Sequence, residues 1–262
     1  MNTGKPVHVV VIFILCLAPF FFQCCAPTSI KQHFRPFDHQ KIDSLISMGR
    51  EQERKVHDLF SSGHLTMIRQ GSEAELNFLI AGVRDSGKIK IEITHPWGRP
   101  VIHILINKKC FQILSFRERR YYFGELGAID AMGFLPGRLD PDQIWPLIRA
   151  YPVIREYHRV VALKDNQVAV LDINNEKVQL IDFYPQTGLP CLMSFPRQDV
   201  KVSFSNFQNV NGIYYARKIG LNDPKTDSVV TLDLKQIVFN KGIPEKIFEL
   251  AKPADFEHML LQ

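Results

Sequence analysis

The spacing of apolar residues along this chain changes from a helical period to a period of two. Over residues 38–60, apolar side chains recur at helical spacing among charged ones, which predicts an amphipathic helix closed by Gly63. A second helical block is predicted over residues 124–150. Elsewhere apolar and polar residues alternate, as in strands with one buried face, and about eleven strands are predicted. These strands cover residues 64–67, 75–80, 88–93, 101–106, 111–116, 167–173, 178–184, 189–195, 200–204, 213–221 and 229–239.

The alternating runs share one consistently apolar face, which a folded chain has to cover. A curved sheet wrapped around helices achieves this, so the sequence predicts a mainly β fold with helices, of the α+β class. Incomplete filling by the helices would leave an apolar cavity suited to acyl chains. Core packing is the alternative, because alternation does not distinguish a cavity wall from a packed core. Residues 38–262 are predicted to form one domain, preceded by a tether at residues 26–37.

Residues 1–25 have the pattern of an export signal. Their apolar run at residues 7–22 is shorter than the roughly 20 residues that span a bilayer. Cys24 and Cys25 follow the run directly, at the position where bacterial lipoproteins carry acyl chains on a cysteine that becomes the mature N-terminus. Three alternatives stay open: lipidation at either cysteine, ordinary cleavage after Ala26, and an uncleaved anchor. All three place the domain outside the cytoplasm.

Composition adds no catalytic or metal-binding pattern. The formal net charge of +5 is spread thinly and fits a surface facing anionic lipid, whereas the export signal disfavours nucleic acid as a partner. The sequence has no His-Glu-x-x-His pair and no Gly-x-Ser-x-Gly elbow, so we expect no metal, no cofactor and no enzymatic activity. Two of the five cysteines, Cys110 and Cys191, lie beyond the leader, and both a disulfide and two separate thiols are compatible with their positions.

Short motifs and the order of elements connect the chain to a known family. The loop at residues 95–98, with the sequence His-Pro-Trp-Gly, lies between the third and fourth predicted strands. It resembles the Pro-Leu-Gly loop of LolB, the outer-membrane receptor for lipoproteins. Residues 182–190 and 204–220 look like the late strands shared by LolA and LolB, and residues 243–253 are similar to the end of LolA-type chains. The resemblance spans residues 60–253.

This resemblance implies an unclosed antiparallel half-barrel covered by helices, whose apolar interior receives the acyl chains of a lipoprotein in transit. In LolB an apolar residue at the loop tip enters the bilayer, and the aligned residue here is Trp97, between Pro96 and Gly98. Packing of Trp97 back into one end of the barrel is the alternative. The expected acyl-chain cavity wall consists of Leu76, Phe78, Ile80, Ile89, Ile91, Ile93, Ile102, Ile104 and Ile106.

The resemblance also implies partners and a location. The expected partners are acylated lipoproteins or lipid, with a LolA-like periplasmic carrier as donor. Neither Cys24 nor Cys25 precedes an Asp, the usual signal for inner-membrane retention, so the expected location is the periplasmic side of a Gram-negative outer membrane. The alternative function is a structural or assembly lipoprotein of an envelope complex that uses the same fold to hold a protein partner.

Overall fold

The computed structural model describes residues 39–128, 141–164, 166–224 and 226–261, which form one large sheet with helices on it. Helix α1 spans His39–Arg54 and helix α2 spans Pro141–Arg149. The strands are β1 (Asp58–Arg69), β2 (Ser72–Val83), β3 (Lys88–Thr94), β4 (Pro100–Asn107), β5 (Cys110–Ser115), β6 (Arg120–Glu125), β7 (Arg159–Lys164), β8 (Gln167–Leu171), β9 (Lys177–Phe183), β10 (Pro190–Phe195), β11 (Val200–Val210), β12 (Ile213–Asp223), β13 (Ser228–Phe239) and β14 (Glu257–Leu261), with a 3-10 helix at Glu245–Phe248. None of the described helices has the length and apolar character needed to cross a membrane.

The predicted export signal, the tether at residues 26–37, and the lipidation candidates Cys24 and Cys25 lie outside the described residues. Their assignments therefore stay predictions from the sequence.

The strands form a single unclosed sheet in the order β14-β6-β5-β4-β3-β2-β1-β13-β12-β11-β10-β9-β8-β7. Two meanders of sequence neighbours, β1 to β6 and β7 to β13, meet at the antiparallel pair β1–β13. All pairs in the sheet are antiparallel except β14–β6, which is parallel. The β2–β3 and β4–β5 turns lie at one end of the strands, here called the Gly87 end. The β1–β2, β3–β4 and β5–β6 turns lie at the opposite end, called the Trp97 end.

The large unclosed antiparallel sheet with few helices confirms the expected fold class, but the expected number of about eleven strands is wrong, since the sheet has 14. The additional strands are β6, β7 and β14. Strands β7 and β14 are the two edges, and an edge strand is short and packs against one neighbour only, so its alternation is weak. In β7, for example, Val160, Val161 and Ala162 follow one another without a polar residue.

The predicted helix over residues 38–60 is too long. Helix α1 ends at Arg54, and β1 already begins at Asp58. Val56 and Leu59 are both fully buried, and a spacing of three residues fits a helical face. In the folded chain Leu59 instead starts the strand alternation. Within the predicted helical block at 124–150, α2 covers Pro141–Arg149, Glu125 ends β6, and residues 129–140 lie outside the described ranges.

Both helices pack on one face of the sheet, called the inner face. Helix α1 buries Ile42, Leu45 and Ile46 against side chains of β8 and β9. Helix α2 packs through Ile144 and Ile148 into the main core cluster, which is formed by side chains of β1 to β6 and β10 to β13.

Close contact between α2 and β2 requires a glycine. A Cβ atom on Gly82 would lie 3.0 Å from Ile148 Cδ1 and 3.1 Å from Trp145 Cζ3. The missing side chain therefore lets the helix approach the strand. On the outer face, the 3-10 helix packs Phe248 against Ala81 and Leu105.

Candidate functional site

The nine residues predicted to form the cavity wall lie together on the inner face of β2, β3 and β4. Rows across the strands are formed by Ile80, Ile91 and Ile104, by Phe78, Ile93 and Ile102, and by the pair Ile89 and Ile106. Seven of the nine are buried: Leu76, Phe78, Ile80, Ile89, Ile102, Ile104 and Ile106. Ile91 and Ile93 are only partly buried, as are Met67 and Leu232 on the same face. The inner face is thus covered at the Gly87 end and partly open toward the Trp97 end.

A cavity of about 740 Å³ lies at the Gly87 end, between the sheet and α2. Two of the nine predicted wall residues, Ile89 and Ile106, line it. The remaining apolar lining comes from α2, from the segment after it, and from neighbouring strands, and consists of Leu126, Ile144, Trp145, Pro146, Val153, Ile154, Val178 and Phe195. The volume is within the range of small-ligand sites. The alternation of apolar residues in the sequence does not predict the part of the lining that α2 and β10 supply, because these two elements come together only through the tertiary fold.

Charged side chains also line this cavity, at its solvent-facing side. Lys108 and Glu156 are exposed. The Arg84 guanidinium forms an ion pair with the Glu53 carboxylate and donates to the Glu53 carbonyl at 3.1 Å. Arg155 lies over the Phe195 ring, 5.0 Å from its centroid. The cavity therefore combines an apolar interior with a charged rim, which suits an amphiphilic molecule.

A buried polar cluster joins α1, α2 and the β11–β12 turn beside the cavity. The Gln52 side chain is almost fully buried; its Nε2 donates to the Gly212 carbonyl at 2.9 Å, and its Oε1 accepts from the Tyr214 N–H at 2.8 Å. Arg149, at the end of α2, is fully buried and donates to the main-chain carbonyls of Gln52 at 2.6 Å and Tyr214 at 3.3 Å. These bonds hold both helices to one end of the sheet.

Burial shifts the titration of two groups in this cluster. It lowers the pKa of Arg149 to about 10 and raises the pKa of Tyr151 to about 12. The guanidinium lies 4.8 Å from the centroid of the Tyr151 ring. At neutral pH the cluster therefore contains a cationic arginine and a neutral tyrosine, and carbonyls near the C-terminus of α1 help to stabilise the positive charge.

The Trp97 loop projects from the opposite end of the strands. Trp97 is 74% exposed, and its ring stacks on that of His95 with centroids 4.6 Å apart and planes within 2°. The loop is closed by two hydrogen bonds of 2.8 Å, from the His95 N–H to the Arg99 carbonyl and from the Gly98 N–H to the His95 carbonyl. Gly98 has a φ of +88°, which favours glycine. In the structure Trp97 is exposed and not packed into the interior, and its role as a membrane contact stays a prediction.

A second cavity, of about 780 Å³, lies at the edge formed by β6 and β14. Phe123, Leu260 and Leu261 contribute to its lining, and Leu260 is 57% exposed. Cys110 also lines it with a free, exposed thiol. Cys191 is likewise free, so no disulfide joins the two, and burial raises the pKa of the Cys191 thiol. Across the described ranges, no group of three or more His, Cys, Asp or Glu residues is placed to hold a metal ion.

Solved structures resemble this architecture. One is a LolA superfamily protein from Nitrosomonas europaea, which is 16% identical, with a TM-score of 0.55, over 79% of this chain and 97% of that chain. The chain has a LolA-like fold. A DUF1329 family protein from Desulfovibrio piger shares this LolA-like fold with a TM-score of 0.56 and 12% identity, over 80% of this chain and 97% of that one.

A third structure, an outer membrane lipoprotein-sorting protein domain from Vibrio parahaemolyticus, has a TM-score of 0.46 and 10% identity over 79% of this chain and 96% of that chain. No family model and no curated protein matches the sequence. At these identities the first two likenesses establish the LolA-like fold alone and leave function to be argued from the site.

Proposed function

We propose that this chain is a lipoprotein of the Gram-negative outer membrane that faces the periplasm and is anchored through acyl chains on Cys24 or Cys25. Its domain binds acyl chains between the sheet and the helices, and it receives lipoproteins or lipids and inserts them into the membrane without a chemical step. The observation that carries this proposal is the apolar inner face, which stays partly open at Ile91 and Ile93 next to the exposed Trp97 loop.

The inner face supplies the physical basis for binding. An acyl chain placed against it removes apolar surface from water, with about 0.8 kcal/mol gained for each buried methylene. The nine wall residues expected from the sequence are the proposed contacts. Transfer from a LolA-like carrier requires only that this domain bind the acyl chains more favourably than the carrier does. The likeness to a LolA superfamily protein supports this role.

Trp97 is the proposed membrane contact, together with Pro96 and Gly98. Indole rings favour the boundary between headgroups and acyl chains, where the ring is buried and the N–H stays hydrated. An exposed indole at a loop tip would bring the partly open end of the inner face to the membrane surface. Cargo would then leave the domain directly into lipid.

Replacement of Trp97 tests this function. We expect Trp97→Glu to fold normally, because the side chain is 74% exposed, and to slow transfer of an acylated lipoprotein into liposomes. The expected effect is about tenfold, since a loss of about 1.4 kcal/mol in interfacial binding corresponds to that factor. Ile173→Glu is the matched control, because Ile173 is 73% exposed on the β8–β9 loop. Equal transfer by both folded variants would remove Trp97 from the mechanism.

The alternative function, an assembly lipoprotein that holds a protein partner, finds support in the exposed Leu260 at the second cavity. Mass spectrometry of the chain extracted from membranes separates the two functions. Fatty acyl species that co-purify with the chain favour lipid binding. A stoichiometric protein partner with no lipid favours assembly.

A further inference from the structure

The cavity at the Gly87 end has two chemically different parts. Its interior is made of buried aliphatic and aromatic side chains, including Ile106, Ile144 and Phe195. Its rim is charged and solvent-facing, with Lys108 and Glu156 exposed. A ligand that fills both parts has an apolar chain and a polar head.

The charges on the rim are not equally available to a ligand. Arg84 is held by Glu53 through an ion pair and a bond to the main-chain carbonyl, so its charge is largely neutralised. Arg155 is stacked on Phe195. Within the described part of the chain, no carboxylate lies within ion-pair distance of Lys108. Among the residues that the structure describes, Lys108 is therefore a rim cation without a carboxylate partner, placed to bind an anionic group.

A second donor in the cavity also lacks a partner. Trp145 lines the cavity, and its indole Nε1 is buried without a hydrogen-bond acceptor among the residues that the structure describes. Packing of the ring beside Gly82 and Ile148 fixes its position. A buried N–H without an acceptor is unfavourable, and a ligand oxygen in the cavity would supply the missing acceptor.

We propose that this cavity binds a single-chain amphiphile with an anionic headgroup, a carboxylate or a phosphate, whose chain lies against Ile89 and Ile106 and whose head contacts Lys108. The inference deepens the proposed function and rests on it, because it requires that acyl chains bind between the sheet and α2. It adds a preference for charged heads, which an apolar wall alone does not produce. Free fatty acids and lysophospholipids both carry this chemistry.

The two tryptophans of the chain make the cavity directly observable. In full-length Trp97→Phe protein, Trp145 is the sole indole and reports on its own cavity. The probes are palmitate, 1-palmitoyl lysophosphatidate and neutral 1-monopalmitoylglycerol, each titrated below its critical micelle concentration. We expect both anionic probes to shift the Trp145 emission saturably, with dissociation constants about fivefold or more below that of the neutral probe, as for an exposed ion pair at the upper end of its range. A response to only one anionic probe supports the inference and identifies whether carboxylate or phosphate is preferred.

Adjacent lysines provide a matched pair of variants. Lys108→Glu should weaken binding of the anionic probes about fivefold and leave the neutral probe unchanged. Lys109→Glu should leave all three unchanged, because Lys109 is exposed but does not line the cavity. Equal losses in the two variants, or equal affinity for neutral and anionic probes, would overturn the headgroup preference and leave acyl-chain binding intact. If no probe shifts the Trp145 emission, the inference fails, whereas acyl-chain binding at Ile91 and Ile93, which do not line this cavity, is decided separately by the liposome transfer assay with Trp97→Glu.

Discussion

Gln52 is the residue through which α1 is tied to the sheet, and replacing it should weaken the fold measurably. In Gln52→Leu, the Gly212 carbonyl and the Tyr214 N–H both lose their bonds to the side chain. The Gly212 carbonyl keeps a bond from Lys55 Nζ at 3.3 Å, so its loss is partly compensated. For the Tyr214 N–H, Gln52 Oε1 is the only side-chain acceptor among the described residues.

The size of the effect follows from these two bonds. A lost hydrogen bond contributes about 1 kcal/mol, and a buried donor left unpaired costs roughly 1–3 kcal/mol. We therefore expect Gln52→Leu to lower the free energy of unfolding by about 3 kcal/mol. For a domain of this size, that corresponds to a decrease in Tm of about 6–12 °C.

Urea unfolding followed by circular dichroism measures this loss, with Gln40→Leu as the control. Gln40 is exposed on the same helix, so its replacement changes helix composition without removing a buried bond. Gln52→Glu keeps an acceptor for the Tyr214 N–H and should lose less stability than Gln52→Leu. If the free energy of unfolding of Gln52→Leu lies within about 0.5 kcal/mol of that of the original protein, the reasoning from the buried cluster is wrong.

Two further predictions concern the β14 edge and the outer face. Gly124→Ala should detach β14 and open the chain near Leu261 to proteolysis, because a Cβ at residue 124 would lie 2.3 Å from the Leu261 carbonyl oxygen. Gly127→Ala should be cleaved like the original protein, because no atom of the described residues lies within 4 Å of a Cβ at residue 127. Equal cleavage of the two variants would contradict this. Burial lowers the pKa of His103, against the opposing effect of Glu92. As the pH falls, His103 is therefore protonated in the unfolded chain at a higher pH than in the folded protein. The stability due to neutral His103 is therefore present above the unfolded pKa of about 6.5 and lost as the pH falls below it. His103→Gln should flatten the decline in the urea midpoint from about pH 8 to about pH 5.5, and an unchanged decline would refute the assignment.

Alternation along the strands is the part of the fold that can be predicted from the sequence. In β2, β3 and β4 every second residue is apolar, and the register brings the predicted wall residues, Ile80 and Ile91 among them, onto one face. The period of two fixes which side chains share a face, whatever lies on it. Alternation does not predict the strands at the edges of the sheet, because β7 and β14 each pair with one neighbour only.

The cavity itself depends on contacts that no local pattern contains. Trp145 and Phe195 line it from α2 and β10, which are distant in sequence. Lys108 has no carboxylate within ion-pair distance among the described residues, and this follows from the fold, not from a local sequence pattern. The sequence leaves open whether Trp97 is exposed or buried, since an indole between a proline and a glycine fits both environments, and the folded loop exposes it.

The antiparallel pair β1–β13 has a consequence for how the protein reaches its native state. Each meander consists of neighbours in sequence and can form through local contacts, whereas joining Leu59 to Phe239 requires closure of a very long loop. We expect this junction to form late and to limit the folding rate. Until it closes, β1 and β13 present unpaired edges to other chains, so the newly synthesised protein is most vulnerable to strand exchange and aggregation at this seam.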